Sequence, residues 1–200
     1  TVNGNALFLI NPHTSFFFRS ELHMSSDEGL NAYGASTWGQ FFIYQGFNED
    51  VGWMHTSSGV DNIDEFLETV TERGDEFFYS VDGEERPLSK ETVSIAYKSA
   101  DGMKERDFTI FRSHHGPIVR AQGSKWVATS LMEEPMSALM QSYGRTKARG
   151  MEDYRENMEM HTNSSNNTVY ADSDGNIAYW HSNFVPKRNP DINWLEPVDG

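Results

Sequence analysis

With no cysteine in the chain, the residues able to do chemistry are its seven histidines, its carboxylates and its serines. The missing thiol excludes a disulfide framework, zinc–thiolate and iron–sulfur sites, and a thiol nucleophile. Neither His-x-His nor His-x-x-x-His occurs, so metal binding by the histidines has little support in their spacing. His13 follows Asn11-Pro12 in a turn, His55 sits in a strand, and His114-His115 form a loop pair. Taken singly, each reads as a residue placed for backbone reasons. Asp172-Ser173-Asp174-Gly175-Asn176 opens like a calcium loop, but Asn183 stands at the twelfth position, where that loop needs glutamate. A hairpin turn accounts for the five residues better. There is no Gly-x-Ser-x-Gly elbow and no phosphate-binding glycine loop, and no serine is set apart by its context.

The elements that must position these residues are mostly strands. Strand patterns are expected over residues 5–10, 16–24, 29–38, 40–44, 51–55, 77–81, 92–97, 107–112 and 118–121. Asp82-Gly83, Asp101-Gly102 and Gly116-Pro117 supply turn chemistry between the later ones, and a turn is also expected at 46–50. In residues 61–72, Ile63, Phe66, Leu67 and Val70 fall at helical spacing, which predicts a helix or a long strand. Helices are expected over 137–143 and 150–160, and a hairpin over 167–172 and 176–181 across Asp174-Gly175. Strands first and a small helical layer later make the class α+β, read as one domain over 1–200.

Thirty acidic against sixteen basic residues leave a formal charge of −14, which excludes nucleic acid and anionic lipid as partners. The apolar runs at 6–10 and 41–44 fall far short of the ~20 residues a membrane helix needs, so no membrane insertion is expected. Hydrophobic residues are 37% and charged ones 23% of the 200, the balance of a folded chain with a polar surface. A chain of this size can bury roughly 70% of its unfolded surface.

Several segments carry more meaning together than singly. Gly4-Asn5-Ala6-Leu7-Phe8-Leu9-Ile10-Asn11-Pro12-His13 is followed by Glu21-Leu22-His23, Gly46-Phe47-Asn48, Gly52-Trp53-Met54-His55-Thr56 and Asp61-Asn62-Ile63-Asp64. Then come His115-Gly116-Pro117-Ile118-Val119, Asn167-Thr168-Val169-Tyr170-Ala171-Asp172, Gly175-Asn176-Ile177-Ala178-Tyr179 and Pro186-Lys187-Arg188. In this order and spacing the chain resembles the β-chain of the penicillin acylase family, within the N-terminal nucleophile hydrolases. The Trp-x-His-Thr form is closest to the branch of cephalosporin acylases and acyl-homoserine lactone acylases. The resemblance covers residues 4–70 and 108–190; the stretch 71–107 matches nothing nameable.

The resemblance implies the antiparallel-sheet-rich part of a four-layer αββα sandwich. It implies an amide hydrolase that removes an acyl group from a linear amide, such as a β-lactam antibiotic or an N-acyl-homoserine lactone. The nucleophile is an N-terminal serine exposed by autoproteolysis, with its own α-amino group as base and preorganised donors for the oxyanion. Carried over residue by residue, Ser57 gives a backbone N–H to that oxyanion and Asn167 its side-chain amide. His13 orients the serine, and Arg188 matches an arginine near the asparagine. Ser57 replaces a small apolar residue, which a backbone donor tolerates. Asp61, the Ile63 carbonyl and Asp64 match a calcium site of some members, a possible structural ion; helix N-terminal charge is the other reading of the two aspartates. Phe16, Phe17, Phe18 and Trp38 are candidate pocket walls, with His55 as a further substrate-binding residue.

The implied partners are a small amide and the α-chain and remaining β-chain of one precursor, in a bacterial periplasm or secreted. The matching serine position falls before Thr1, so the chain is expected to be a β-chain fragment without turnover of its own, and Thr1 is not expected to be the nucleophile. Two other classes stay open: a non-catalytic acylase-like binding module, and a structural β-rich domain in which His13, Ser57 and Asn167 do not converge.

Overall fold

In the row from Val51 to His55 every second side chain is large and buried, so the segment pleats into a strand with one face inward. In the computed structural model, which describes all residues but Thr1, Asn3, Asn5, Ala6, Phe16, Ser164, Ser182 and Asn183, this strand lies within the first of two units. The first unit comprises Thr1–Asn62 and Glu134–Pro186, the second Ile63–Glu133 and Lys187–Gly200.

The first unit is built on a six-stranded antiparallel sheet. Its spatial order is β1 (Arg19–Ser26), β2 (Leu30–Thr37), β3 (Gln45–Phe47), β4 (Val51–Ser57), β13 (Asn166–Asp172) and β14 (Ile177–Trp180), numbered along the chain. The register of β4 on β13 sets Trp53 opposite Tyr170, His55 opposite Thr168 and Ser57 opposite Asn166. The helices are α1 (Pro135–Gly144) and α2 (Met151–Met158), joined through a short 3-10 turn. Pro135 opens α1, where a missing N–H costs nothing. In α2, Tyr154 and Met158 share one face and join Leu30, Ile43, Trp53 and Tyr170 in the core. The Tyr154 ring lies 4.7 Å from that of Tyr170. Asp172 takes the Asn176 backbone N–H at 2.8 Å, so the calcium-like pentapeptide is a hairpin turn.

Two apolar runs depart from their strand patterns. Described residues of the 5–10 stretch form no strand, and Leu7 and Leu9 are 88% and 81% exposed. Residues 41–44 bury Phe42 and Ile43 in bends; Ser36 donates to the Phe42 carbonyl at 3.0 Å, and ladder pairing starts only at Gln45. Gly46, expected in a turn, is therefore inside β3.

The second unit holds a six-stranded sheet in the order β15 (Val198–Asp199), β5 (Asp64–Glu68), β12 (Lys125–Ser130), β11 (Gly116–Gln122), β10 (Gly102–Ser113) and β9 (Ser89–Ser99). Its ladders are antiparallel except β15 on β5, which is parallel. A three-stranded sheet joins β6 (Val70–Arg73), β7 (Glu76–Val81) and β8 (Glu84–Pro87). Of the helix and the long strand expected over 61–72, strand forms, as two elements, in which the ends of β5, Asp64 and Glu68, are buried and Phe66 and Leu67 only partly so. Asp82-Gly83 turns with φ of 50° and 81°, the positive pair a two-residue hairpin loop needs.

Between β2 and β3, where Gly34 faces Gly46, the two backbones leave no room for a side chain. A Cβ on Gly46 would stand 2.2 Å from the Tyr33 carbonyl oxygen. Gly46→Ala is therefore expected to cost about 1–3 kcal/mol, the range for overpacking, read as a lowered urea midpoint. A midpoint unchanged within error would show that the two backbones do not approach this closely.

Candidate active site

The face of β4 that begins with Val51 and Trp53 ends in polar residues. His55 is buried at the end of that row, and its Nδ1 lies 3.0 Å from the Thr168 hydroxyl opposite it on β13. Asn163 donates its amide to the same hydroxyl at 3.3 Å, which fixes Thr168 from its other side. Gln45 donates to the His55 carbonyl at 2.9 Å and holds the strand on its β3 edge. Beyond this point β4 and the segment Asn11–Thr14 enclose a cavity of about 290 Å³, lined by His13, Arg19, His55, Ser57 and Asn166 among others. Three residues expected at a site from the sequence, His13, His55 and Ser57, thus meet around one space.

Ser58 N–H bonds the Ser165 carbonyl at 2.8 Å. In an antiparallel ladder successive N–H groups point to opposite edges, so the N–H of Ser57 points away from β13. Asn167 is buried, and its amide approaches the Ser57 carbonyl oxygen at 3.4 Å. It is Asn166, on the alternate face of β13, that lines the cavity, with its amide 3.1 Å from the Tyr44 hydroxyl. Residue alternation, applied to 166–168 together, carries the signal for both Asn166 and Thr168.

The cavity is cationic although the chain is strongly acidic. The Arg19 guanidinium lies 4.3 Å from the Tyr44 ring centre and that of Arg145 lies 5.5 Å from it. The same ring stands 4.9 Å from the His55 imidazole. Arg145 is buried, and among the described residues no carboxylate is recorded in an ion pair with either arginine. Burial first, then the charges of Arg145 and Arg19, hold the His55 imidazole well below its ordinary pKa. Nothing in the spacing of Arg19, Tyr44 and Arg145 announces this cluster.

The remaining expected site residues lie elsewhere. Phe17, Phe18 and Trp38 are exposed and do not line the His13 cavity, and Phe16 lies outside the described residues. Apolar walls are formed instead by Phe8, Ile10, Tyr33 and Phe47, around a hollow of about 610 Å³ that shares Pro12, Thr14 and Arg19 with the cavity. In the second unit Arg188 holds Asp64, Nη2 to Oδ1, at 2.7 Å. A calcium ligand at Asp64 would have to displace that guanidinium, and Asp64 opens a strand, not a helix. Ile63 is exposed in the second unit, and Asp61 belongs to the first.

His55 gives the first unit a pH dependence of known sign. Below the unfolded-state pKa of about 6.5 the unfolded chain takes up a proton that the folded site refuses, so stability falls on acidification and is insensitive above that pH. The slope between pH 6 and 5 should be steeper by up to about 1.4 kcal/mol per unit than in His55→Gln. Parallel stability curves for the two proteins, from urea unfolding across that range, would show that His55 is protonated in the folded state.

The penicillin amidase family profile matches residues 1–200. Acyl-homoserine lactone acylase PvdQ of Pseudomonas fluorescens strain Pf0-1 is 30% identical over 209 residues, 94% of this chain and 26% of the relative. The protein of the same name from Pseudomonas syringae pv. syringae strain B728a is 27% identical over 202 residues, 93% of this chain and 25% of the relative. The chain thus spans about a quarter of the length of these curated relatives. A thermostable penicillin G acylase from Alcaligenes faecalis superposes with a TM-score of 0.77 at 21% identity, over 93% of this chain and 33% of that one. That likeness is one of fold, the sheet-rich α+β fold of an N-terminal nucleophile hydrolase. On the match over its full extent, the chain belongs to the penicillin amidase family.

Proposed function

We propose that the protein carrying this chain is an acylase that hydrolyses linear amides, with N-acyl-homoserine lactones and β-lactam antibiotics as the substrate classes to try. The observation that supports it is the meeting of His13, His55 and Ser57 around one cationic cavity, with the Asn167 amide against the Ser57 peptide. An acyl-transfer intermediate carries its charge on one oxygen, and a cavity lined by the Arg19 guanidinium, with the Ser57 N–H turned away from β13, suits that charge. In this reading the nucleophile is a serine upstream of Thr1, freed by autoproteolysis, and His13 orients it. The Ser57 N–H and the Asn167 amide hold the oxyanion. The hollow walled by Phe8, Ile10, Tyr33 and Phe47 receives the acyl chain. Arg188 and a calcium ion at Asp61, Ile63 and Asp64 enter on the resemblance alone, as do the periplasmic or secreted location and the α-chain and remaining β-chain as partners.

Asn166, which lines the cavity, supports a second assignment of the amide donor. The two are separated by steady-state kinetics on Asn167→Ala and Asn166→Ala in the whole protein, with amine release from an acyl-homoserine lactone and from penicillin G. Asn167→Ala is expected to lower kcat by about 10²–10³ with KM nearly unchanged, and Asn166→Ala to do much less. The reverse pattern would move the role to Asn166. A raised KM at constant kcat in both would mean that neither stabilises the transition state. Residues 1–200 alone are expected to show no turnover.

A further inference from the structure

Glu68, the last residue of β5, is 0% exposed. A carboxylate so placed needs compensation for its lost water. Its Oε1 meets Nδ1 of His115 at 3.0 Å, but Oε2 is buried with no hydrogen-bond partner among the described residues. His115 and the exposed His114 form the turn between β10 and β11, their ring centres 3.7 Å apart. Both rings are held from behind. His115 lies flat on Phe66 at 3.8 Å and 5°, and His114 stacks on Tyr79 at 5.6 Å and 16°. One donor atom each from Glu68, His114 and His115 falls within 4.8 Å of the other two.

We propose that Glu68, His114 and His115 bind a divalent transition metal of the zinc class, a site that the acylase reading neither uses nor requires. Two imidazole nitrogens and one carboxylate oxygen are a donor set for zinc, cobalt or nickel, whereas calcium and magnesium seek an all-oxygen shell. The cation would offset the charge of the buried Glu68 carboxylate. Three protein ligands leave a fourth position, on the exposed His114 side, for water. Tetrahedral zinc with bonds of about 2.0–2.1 Å sets its ligand atoms about 3.3 Å apart, so the cluster, spread over at most 4.8 Å, must contract by up to about 1.5 Å. The exposed ring of His114 can supply that by rotation. Each imidazole must present an unprotonated nitrogen to the metal, so affinity falls in acid. Histidine spacing gave no hint of this site because the third ligand comes from a strand 47 positions before His115.

The test is isothermal titration of the whole protein, stripped with a chelator, with zinc, and visible absorption with cobalt. One equivalent of zinc and an intense cobalt spectrum are expected. Losing a ligand should cost at least the about tenfold affinity typical of losing a ligand's supporting partner. His114→Ala is the informative variant, since its side chain is exposed; Glu68→Gln is the companion, with circular dichroism to confirm folding. Absence of a stoichiometric zinc site, equal affinity in His114→Ala, or displacement of cobalt by equimolar calcium would each overturn the proposal.

Discussion

The pairing of β4 with β13 fixes the candidate active site. Its register makes one row of facing pairs, Trp53 with Tyr170, His55 with Thr168 and Ser57 with Asn166. The row runs from apolar to polar along a single face. Burial of Trp53 and Tyr170 therefore sets the position of His55 and Ser57, because a slip of one residue would turn every side chain on the strand to the other face. The site needs no scaffold of its own.

Electrostatics at that end runs against the character of the chain. A surplus of acidic residues covers the molecule, while Arg19 and Arg145 gather around Tyr44 beside His55. An aromatic face attracts a guanidinium without neutralising it. The positive charge thus stays available to a ligand, where a carboxylate partner would have cancelled it. Arg188 shows the opposite arrangement, closed on Asp64.

Much of this was legible in the residues, and what was not has definite causes. The hairpins marked by Asp82-Gly83, Asp101-Gly102 and Asp174-Gly175, and both helices, follow local rules of turn chemistry and periodicity. Strands β8, β12 and β15 escaped notice: β8 is exposed throughout, β12 has only Val127 and Ala128 deeply buried, and β15 has two residues. The 61–72 segment left helix and strand both open because Ile63, Phe66, Leu67 and Val70 fall at helical spacing, and strand pairing with β12 decided between them. At the site, His13, His55 and Ser57 came from ordered motifs. Arg19, Tyr44 and Arg145 did not, because what joins them is tertiary, a shared ring face; Thr168 stands within a motif, but its bond to His55 spans 113 positions.

That separation also bears on how the chain acquires its structure. The first unit is interrupted by Ile63–Glu133, so its central ladder cannot form until the ribosome has made β13. The hairpin of β9 and β10, by contrast, pairs neighbours within one stretch and can form as it emerges. Loop closure across such a span is slow, and exposed strand edges invite aggregation meanwhile. Until then β4 has its β13 edge unpaired, and the many acidic side chains of the nascent chain keep copies apart by repulsion. The interruption makes synthesis order part of the design, with the residues of the cavity among the last to be brought together.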